Sequence, residues 1–140
     1  MLRRGFTVAC LIALVGVQGL AVAADKREDE AQAAAESWLK LVDDGSYPAS
    51  WDRAARLFKD GIKPADWAKM VGSVRGPLGK LVSRKLKSRE YKETLPGAPD
   101  GKYVVVQFDT VFQNKAGAVE TIVPMVAPDG VWRVSGYFIR

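Results

Sequence analysis

Ala31, Ala35, Trp38 and Val42 recur at spacings of four, three and four, and Ala34 and Leu41 widen the stripe, so residues 28–44 are expected to form an amphipathic helix. Glu28, Asp29 and Glu30 suit the positive end of its dipole, and Gly45 stands where a left-handed cap is wanted. Asp43 and Asp44 are unfavourable at the negative end and are assigned to the following turn. Tyr47, Trp51, Ala54 and Phe58 repeat the helical spacing in a second helix, capped by Ser46, tolerant of Pro48 in its first turn and stopped at Gly61. A third starts at Pro64 with Asp66 in its first turn, turns Trp67, Met70 or Val71, and Val74 inward, and ends before Gly76-Pro77.

Beyond Gly79 the period changes. Breakers at Pro96-Gly97, Pro99-Asp100-Gly101, Asn114 to Gly117 and Pro128-Asp129-Gly130 cut the remainder into four strand-length pieces. No repeat or linker divides the chain, so helices and strands must share one core. The expected fold class is α+β, with three N-terminal helices packed on a curved, cone-like, four-stranded antiparallel sheet.

Val104, Val106, Phe108, Thr110 and Phe112 alternate with Tyr103, Val105, Gln107, Asp109 and Val111, and the even set is expected to be buried. If the turn at 114–117 pairs Gln113 with Ala118, Asp109 falls opposite Ile122 and Val111 opposite Glu120. Pairing Ala127 with Gly130 then sets Glu120 against Tyr137 and Pro124 against Arg133. Gln107, Asp109, Glu120, Arg133 and Tyr137 thereby form a polar cluster on the face away from the helices.

The first 23 residues are a separate object. Arg3 and Arg4 precede an apolar run at 6–17 and a small-residue exit at Ala21-Val22-Ala23, the pattern of a cleaved signal peptide. The run is shorter than the ~20 residues a membrane span requires, so no membrane insertion is expected after cleavage past Ala23 or Ala24. Residues 24–140 are then a single exported domain of the periplasm or exterior. Leu2 and Thr7 depart from a twin-arginine signal, so the ordinary export route is preferred.

Cleavage removes Cys10, and the sequence has no His. The exported domain therefore has no disulfide, no thiolate or imidazole metal site, no Cys nucleophile and no His base, and no cofactor is implied. Loss of Arg3 and Arg4 reduces 21 basic residues to 19 against 16 acidic ones, a net charge of +3. Arg75, Lys80, Arg84, Lys85, Lys87, Arg89 and Lys92 nonetheless form a basic strip broken only by Glu90.

Asp109 and Glu120 are the carboxylates best placed for proton transfer, with Tyr137 or Thr110 as helpers, but this requires one of them to point inward. The expected register points both outward, where cross-strand ion pairing is the plainer role. Trp38, Tyr47, Ser50, Trp51 and Trp67 from the helices, with Thr110 and Thr121 from the strands, are candidate contacts for a small apolar ligand, although aromatic residues at these spacings also simply fill a core. The basic strip would suit an anionic envelope polymer, or else protect a solvated edge strand. No reading motif for nucleic acid accompanies it. Val105, Val111, Ile122 and Tyr137 on the outer face would suit a homodimer. The two-proline loop at 95–101 is long for a hairpin and is a candidate lip.

Trp38-Leu39-Lys40-Leu41-Val42-Asp43, Tyr47 with Ser50-Trp51, Arg75-Gly76-Pro77-Leu78-Gly79, the 95–101 loop, Gln107-Phe108-Asp109-Thr110, Glu120-Thr121, and Asp129-Gly130-Val131-Trp132-Arg133-Val134-Ser135-Gly136-Tyr137 together resemble domain of unknown function 4019, a family of exported bacterial proteins. The element order is also similar to the cone-shaped fold of nuclear transport factor two, ketosteroid isomerases and polyketide cyclases. That likeness implies a fold shared by enzymes, ligand binders and scaffolds. The sequence thus favours a non-catalytic exported domain binding a small apolar ligand or an envelope protein, ahead of an isomerase- or cyclase-like enzyme and a polyanion binder.

Overall fold

A computed structural model describes residues 18–140. The apolar run at 6–17 and Cys10, on which the expected signal peptide rests, lie outside the described residues. Four helices precede four strands: α1 (Gln18–Asp43), α2 (Tyr47–Arg53), α3 (Arg56–Gly61), α4 (Pro64–Leu78), β1 (Leu81–Lys92), β2 (Tyr103–Phe112), β3 (Lys115–Val126) and β4 (Trp132–Ile139). The strands form one open antiparallel sheet in the order β1-β2-β3-β4. The fold is α+β, as the change of period at Gly79 implies.

The stripe on α1 buries as its spacing requires. Ala31, Ala35, Trp38, Leu39 and Val42 share one core with Phe58, Trp67 and Val71 of the later helices and with Val104, Val106, Phe108, Ile122 and Val134 of the sheet. Gly45 closes α1 at φ 74°, and Pro64 opens α4. The expected second helix is two, because the Ala55 N–H leaves the helical ladder to donate to Val134 O at 2.7 Å, with Ala54 and Ala55 extended. Ser46 makes no side-chain cap. α4 continues through Gly76 and Pro77 to Leu78, with Pro77 in its last turn.

Register differs from expectation, and the difference inverts one strand. The β2–β3 connection closes at Gln113-Asn114, with Phe112 paired to Lys115, so Phe108 faces Glu120 where the longer turn would have set Val123. This odd shift exchanges the faces of β3: Ala118, Glu120, Ile122 and Pro124 point toward the helices. Neither turn residue has positive φ, so this is not the Gly-rich two-residue hairpin turn. The turn is instead held from outside, by Gln113 N–H to Lys80 O, Asn114 N–H to Leu78 O and Asn114 Nδ2 to Pro77 O, with a register break beside Val111. A second irregularity makes Ser135 an extra residue between the Pro124–Val134 and Val123–Gly136 pairs. Trp132 and Val134 stay inward, Tyr137 turns inward, and Phe138 is 63 % exposed.

Candidate functional site

Six elements bring charged or hydroxyl side chains to one place beneath the helices. Asp43 ends α1, Arg75 lies in the last turn of α4, Arg84 is on β1, Thr110 on β2, Glu120 on β3 and Tyr137 on β4. The Arg84 guanidinium is the hub. Its Nη1 donates to Asp43 Oδ2 at 2.8 Å and its Nη2 to Asp43 Oδ1 at 3.0 Å. Its Nε donates to Glu120 Oε1 at 2.7 Å, and Nη2 also reaches Glu120 Oε2 at 3.2 Å. Arg75 Nη2 donates to Asp43 Oδ1 at 2.7 Å, and its Cζ lies 4.8 Å from the Phe112 ring centroid. Two guanidinium groups thus neutralise two carboxylates, with Arg's planar fork making each bridge bidentate or shared.

Glu120 is wholly enclosed, at 0 % exposure. Oε1 accepts from Arg84 Nε and from Thr110 Oγ1 at 2.6 Å; Oε2 accepts from Arg84 Nη2 and Tyr137 OH. A carboxylate offers about four lone-pair positions, and four donors engage them. The outer-face cluster expected from sequence is therefore corrected in two members: Glu120 and Tyr137 are inside, because the short β2–β3 turn and the Ser135 bulge reverse their faces. Gln107, Asp109 and Arg133 remain outside. Gln107 bridges Ser88 and Thr121, Asp109 lies 3.9 Å from Lys87, and Arg133 forks onto Asp129. That fork, with the Val131 N–H, holds the exposed Asp129 carboxyl at about 2.

The ionisation of the cluster has a stability signature. Burial opposes the Asp43 charge, but hydrogen bonds and charge from Arg84 and Arg75 outweigh it and hold the carboxyl below its ordinary 3.8. Burial, then the Glu120 charge, pushes the Tyr137 phenol above its ordinary 10.0. An unfolded Asp43 takes its proton before the folded one, so stability falls as pH drops through the region below about 4. An unfolded Tyr137 releases its proton before the folded one, so stability also falls as pH rises above about 10. Urea midpoints measured against pH are expected to form a plateau between these limits, and Tyr137→Phe to weaken the alkaline fall.

The candidate ligand contacts do not form one pocket. Trp38 Nε1 donates to Ser50 O at 2.8 Å, Trp67 Nε1 to Ser50 Oγ at 2.9 Å and Trp51 Nε1 to Ile62 O at 2.8 Å. Their polar handles are therefore spent on the helices' own backbone and on Ser50, and Trp38, Phe58, Trp67 and Tyr137 stack edge-on or tilted as core. Tyr47 packs beside Gly72 and is half-buried. Thr110 belongs to the ion cluster, and Thr121 is on the outer face with Gln107. The aromatic candidates border separate grooves: Trp38 one of about 380 Å³, whose walls include Leu41 of α1, Asp52 of α2 and Trp132 of β4, Trp51 one of about 750 Å³ with Lys59 and Pro128, and Tyr47 one of about 330 Å³ with Gly45 and Arg75.

The basic strip is largely neutralised. Arg75 and Arg84 are in the buried cluster, Arg89 pairs with Glu28 and Asp29, and Lys92 with Glu90. Lys85 has no carboxylate within 4 Å among the described residues, and Lys87 has only Asp109 at 3.9 Å. Of the expected dimer residues, Val105 and Val111 are half-buried on the outer face, whereas Ile122 and Tyr137 are in the core. The 95–101 loop folds against Tyr103, which donates to Pro99 O at 2.6 Å.

Asp43 was the missed member of the site. Its position against the α1 dipole, together with Glu120 between the apolar stretches of β3, is the signal for tertiary cationic partners.

Fold and cluster together define a small α+β domain locked by an internal set of paired charges. A model of the family described as "Protein of unknown function (DUF4019)" matches residues 34–137, and the chain belongs to that family. No curated protein and no solved structure matches it.

Proposed function

We propose that the protein is an exported, non-catalytic domain that binds a small apolar ligand or a partner protein. The observation that carries this is the saturation of Glu120. It is the strand carboxylate that points inward, the orientation proton transfer requires, yet four donors occupy it and none of its surface is exposed. Its inward placement keeps an isomerase- or cyclase-like enzyme as the second reading, one that needs Arg84 to swing away before a substrate proton can be accepted. The half-exposed residues bordering the 380 Å³ groove beside Trp132 support ligand binding, since that volume is within the range of small-molecule sites. The irregularities in every strand pair favour a curved sheet of the cone-shaped kind.

Native mass spectrometry of the protein purified from the envelope of its own cells tests this. The expected spectrum shows a chain lacking residues 1–23 or 1–24 and carrying either a small apolar adduct or a second protein. A bare monomer under gentle desolvation, or a chain that keeps its leader, contradicts it.

A further inference from the structure

The two edges of the sheet are treated differently. At β4, Ala55 of the α2–α3 junction donates to Val134 O, so a helix junction already occupies part of the edge. At β1, twelve residues long, no strand among the described residues pairs with the outer side, and most side chains from 82 to 90 are exposed. Alongside this edge, on the helix side of the sheet, runs a groove of about 800 Å³. Leu81, Leu86 and Phe108 line its sheet wall, and Ala33, Glu36 and Lys40 its α1 wall. On the other side of the same edge stand Lys85, without an ion-pair partner among the described residues, and Lys87, loosely paired.

We infer that the β1 edge is the docking site for an extended segment of a partner protein in which apolar and acidic residues alternate. Main-chain hydrogen bonds would add the segment as a fifth strand, which is how exposed edges commonly recognise peptides. Because side chains of a strand alternate between faces, one set enters the groove over Leu86 and Phe108 while the other meets Lys85 and Lys87. A second copy of this chain is the poorer occupant, since an antiparallel pair of β1 edges centred on Leu86 sets Lys85 of each copy against Lys87 of the other. The same lysines, with the register breaks near Val82 and Lys87, discourage indiscriminate pairing, so an acidic strand converts a protective device into a selective one. This inference rests on the reading of a non-catalytic binding domain and can fail without it.

The test titrates the ¹⁵N-labelled protein with an end-capped ten-residue peptide alternating valine or leucine with glutamate. Amide shifts confined to β1 and the facing turns of α1 are expected. The double replacement Lys85→Glu, Lys87→Glu should weaken binding by about tenfold or more, because like charges are then opposed. A peptide N-methylated at alternate residues should not bind. No shift at millimolar peptide, shifts centred elsewhere, equal binding of a lysine-containing counterpart, or a dimer formed through β1 by the protein alone would each overturn the inference. If native mass spectrometry then still finds a small apolar adduct, the binding-domain reading survives and this one does not.

Discussion

Replacing Arg84 by Ala is expected to cost about 3–5 kcal/mol of folding stability, the usual penalty for breaking a buried ion pair by removing one partner. The guanidinium sits between Asp43 and Glu120, at 11 % side-chain exposure, and supplies donors to both. Without it Asp43 keeps only Arg75, and Glu120 keeps only the hydroxyls of Thr110 and Tyr137. Two carboxylates would then share one enclosed space with a single cation. Arg84→Lys is expected to recover only part of the loss, because one ammonium cannot reproduce the fork that bridges both acids. Arg84→Met combined with Glu120→Gln removes one charge of each sign. Its cost should therefore fall short of the summed single costs by about 0.5–3 kcal/mol, the range for residues in direct contact. Urea unfolding followed by circular dichroism reads all of these. Strict additivity would show that the bridge contributes nothing.

The second large effect belongs to Trp38→Ala, at about 3–5 kcal/mol, the range for emptying a buried aromatic site. The indole is 4 % exposed and meets Tyr137, Trp67 and Phe58 at centroid distances of 5.4, 5.8 and 6.0 Å. Its loss opens a cavity where α1, α3, α4 and β4 converge and leaves Ser50 O without its donor. For a chain of this size the midpoint of thermal unfolding should fall by roughly 10–20 °C. Trp38→Phe keeps most of the volume but not the N–H, so its cost should be smaller, about 1–3 kcal/mol for the carbonyl left unpaired. A change below 1 kcal/mol in Trp38→Ala would show that the aromatic cluster is not the centre of the core.

What could be read in the sequence was what local spacing determines. The α1 stripe, the Gly45 cap, the Pro64 start and the four strand-length pieces each rest on residues within a turn or two of one another. The site failed for the opposite reason. Asn114 to Gly117 looks like the β2–β3 turn because it contains Gly and Asn, but the chain reverses one step earlier under hydrogen bonds from the α4–β1 corner, and Gly117 lies within β3. In a strand of period two, a three-residue error of register moves every side chain to the other face. The turn expected from sequence thus puts Glu120 in solvent, and the actual one puts it at the centre. The Ser135 bulge likewise turns Phe138 outward, although strict alternation from Trp132 and Val134 would bury it. The helix break at Ala54-Ala55 has the same origin, since a hydrogen bond to distant Val134 outcompetes the local ladder.

Glu120→Gln, measured by urea unfolding at neutral pH, tests most directly whether the inward carboxylate holds the fold together or is held for chemistry. A buried group retained for catalysis strains the fold around it, and removing its charge commonly raises stability. A group whose every lone pair is engaged by donors does the reverse. The expected result is a loss of about 3 kcal/mol, as for breaking a buried pair. Unchanged or increased stability would contradict a structural role for Glu120 and bring proton transfer to the front.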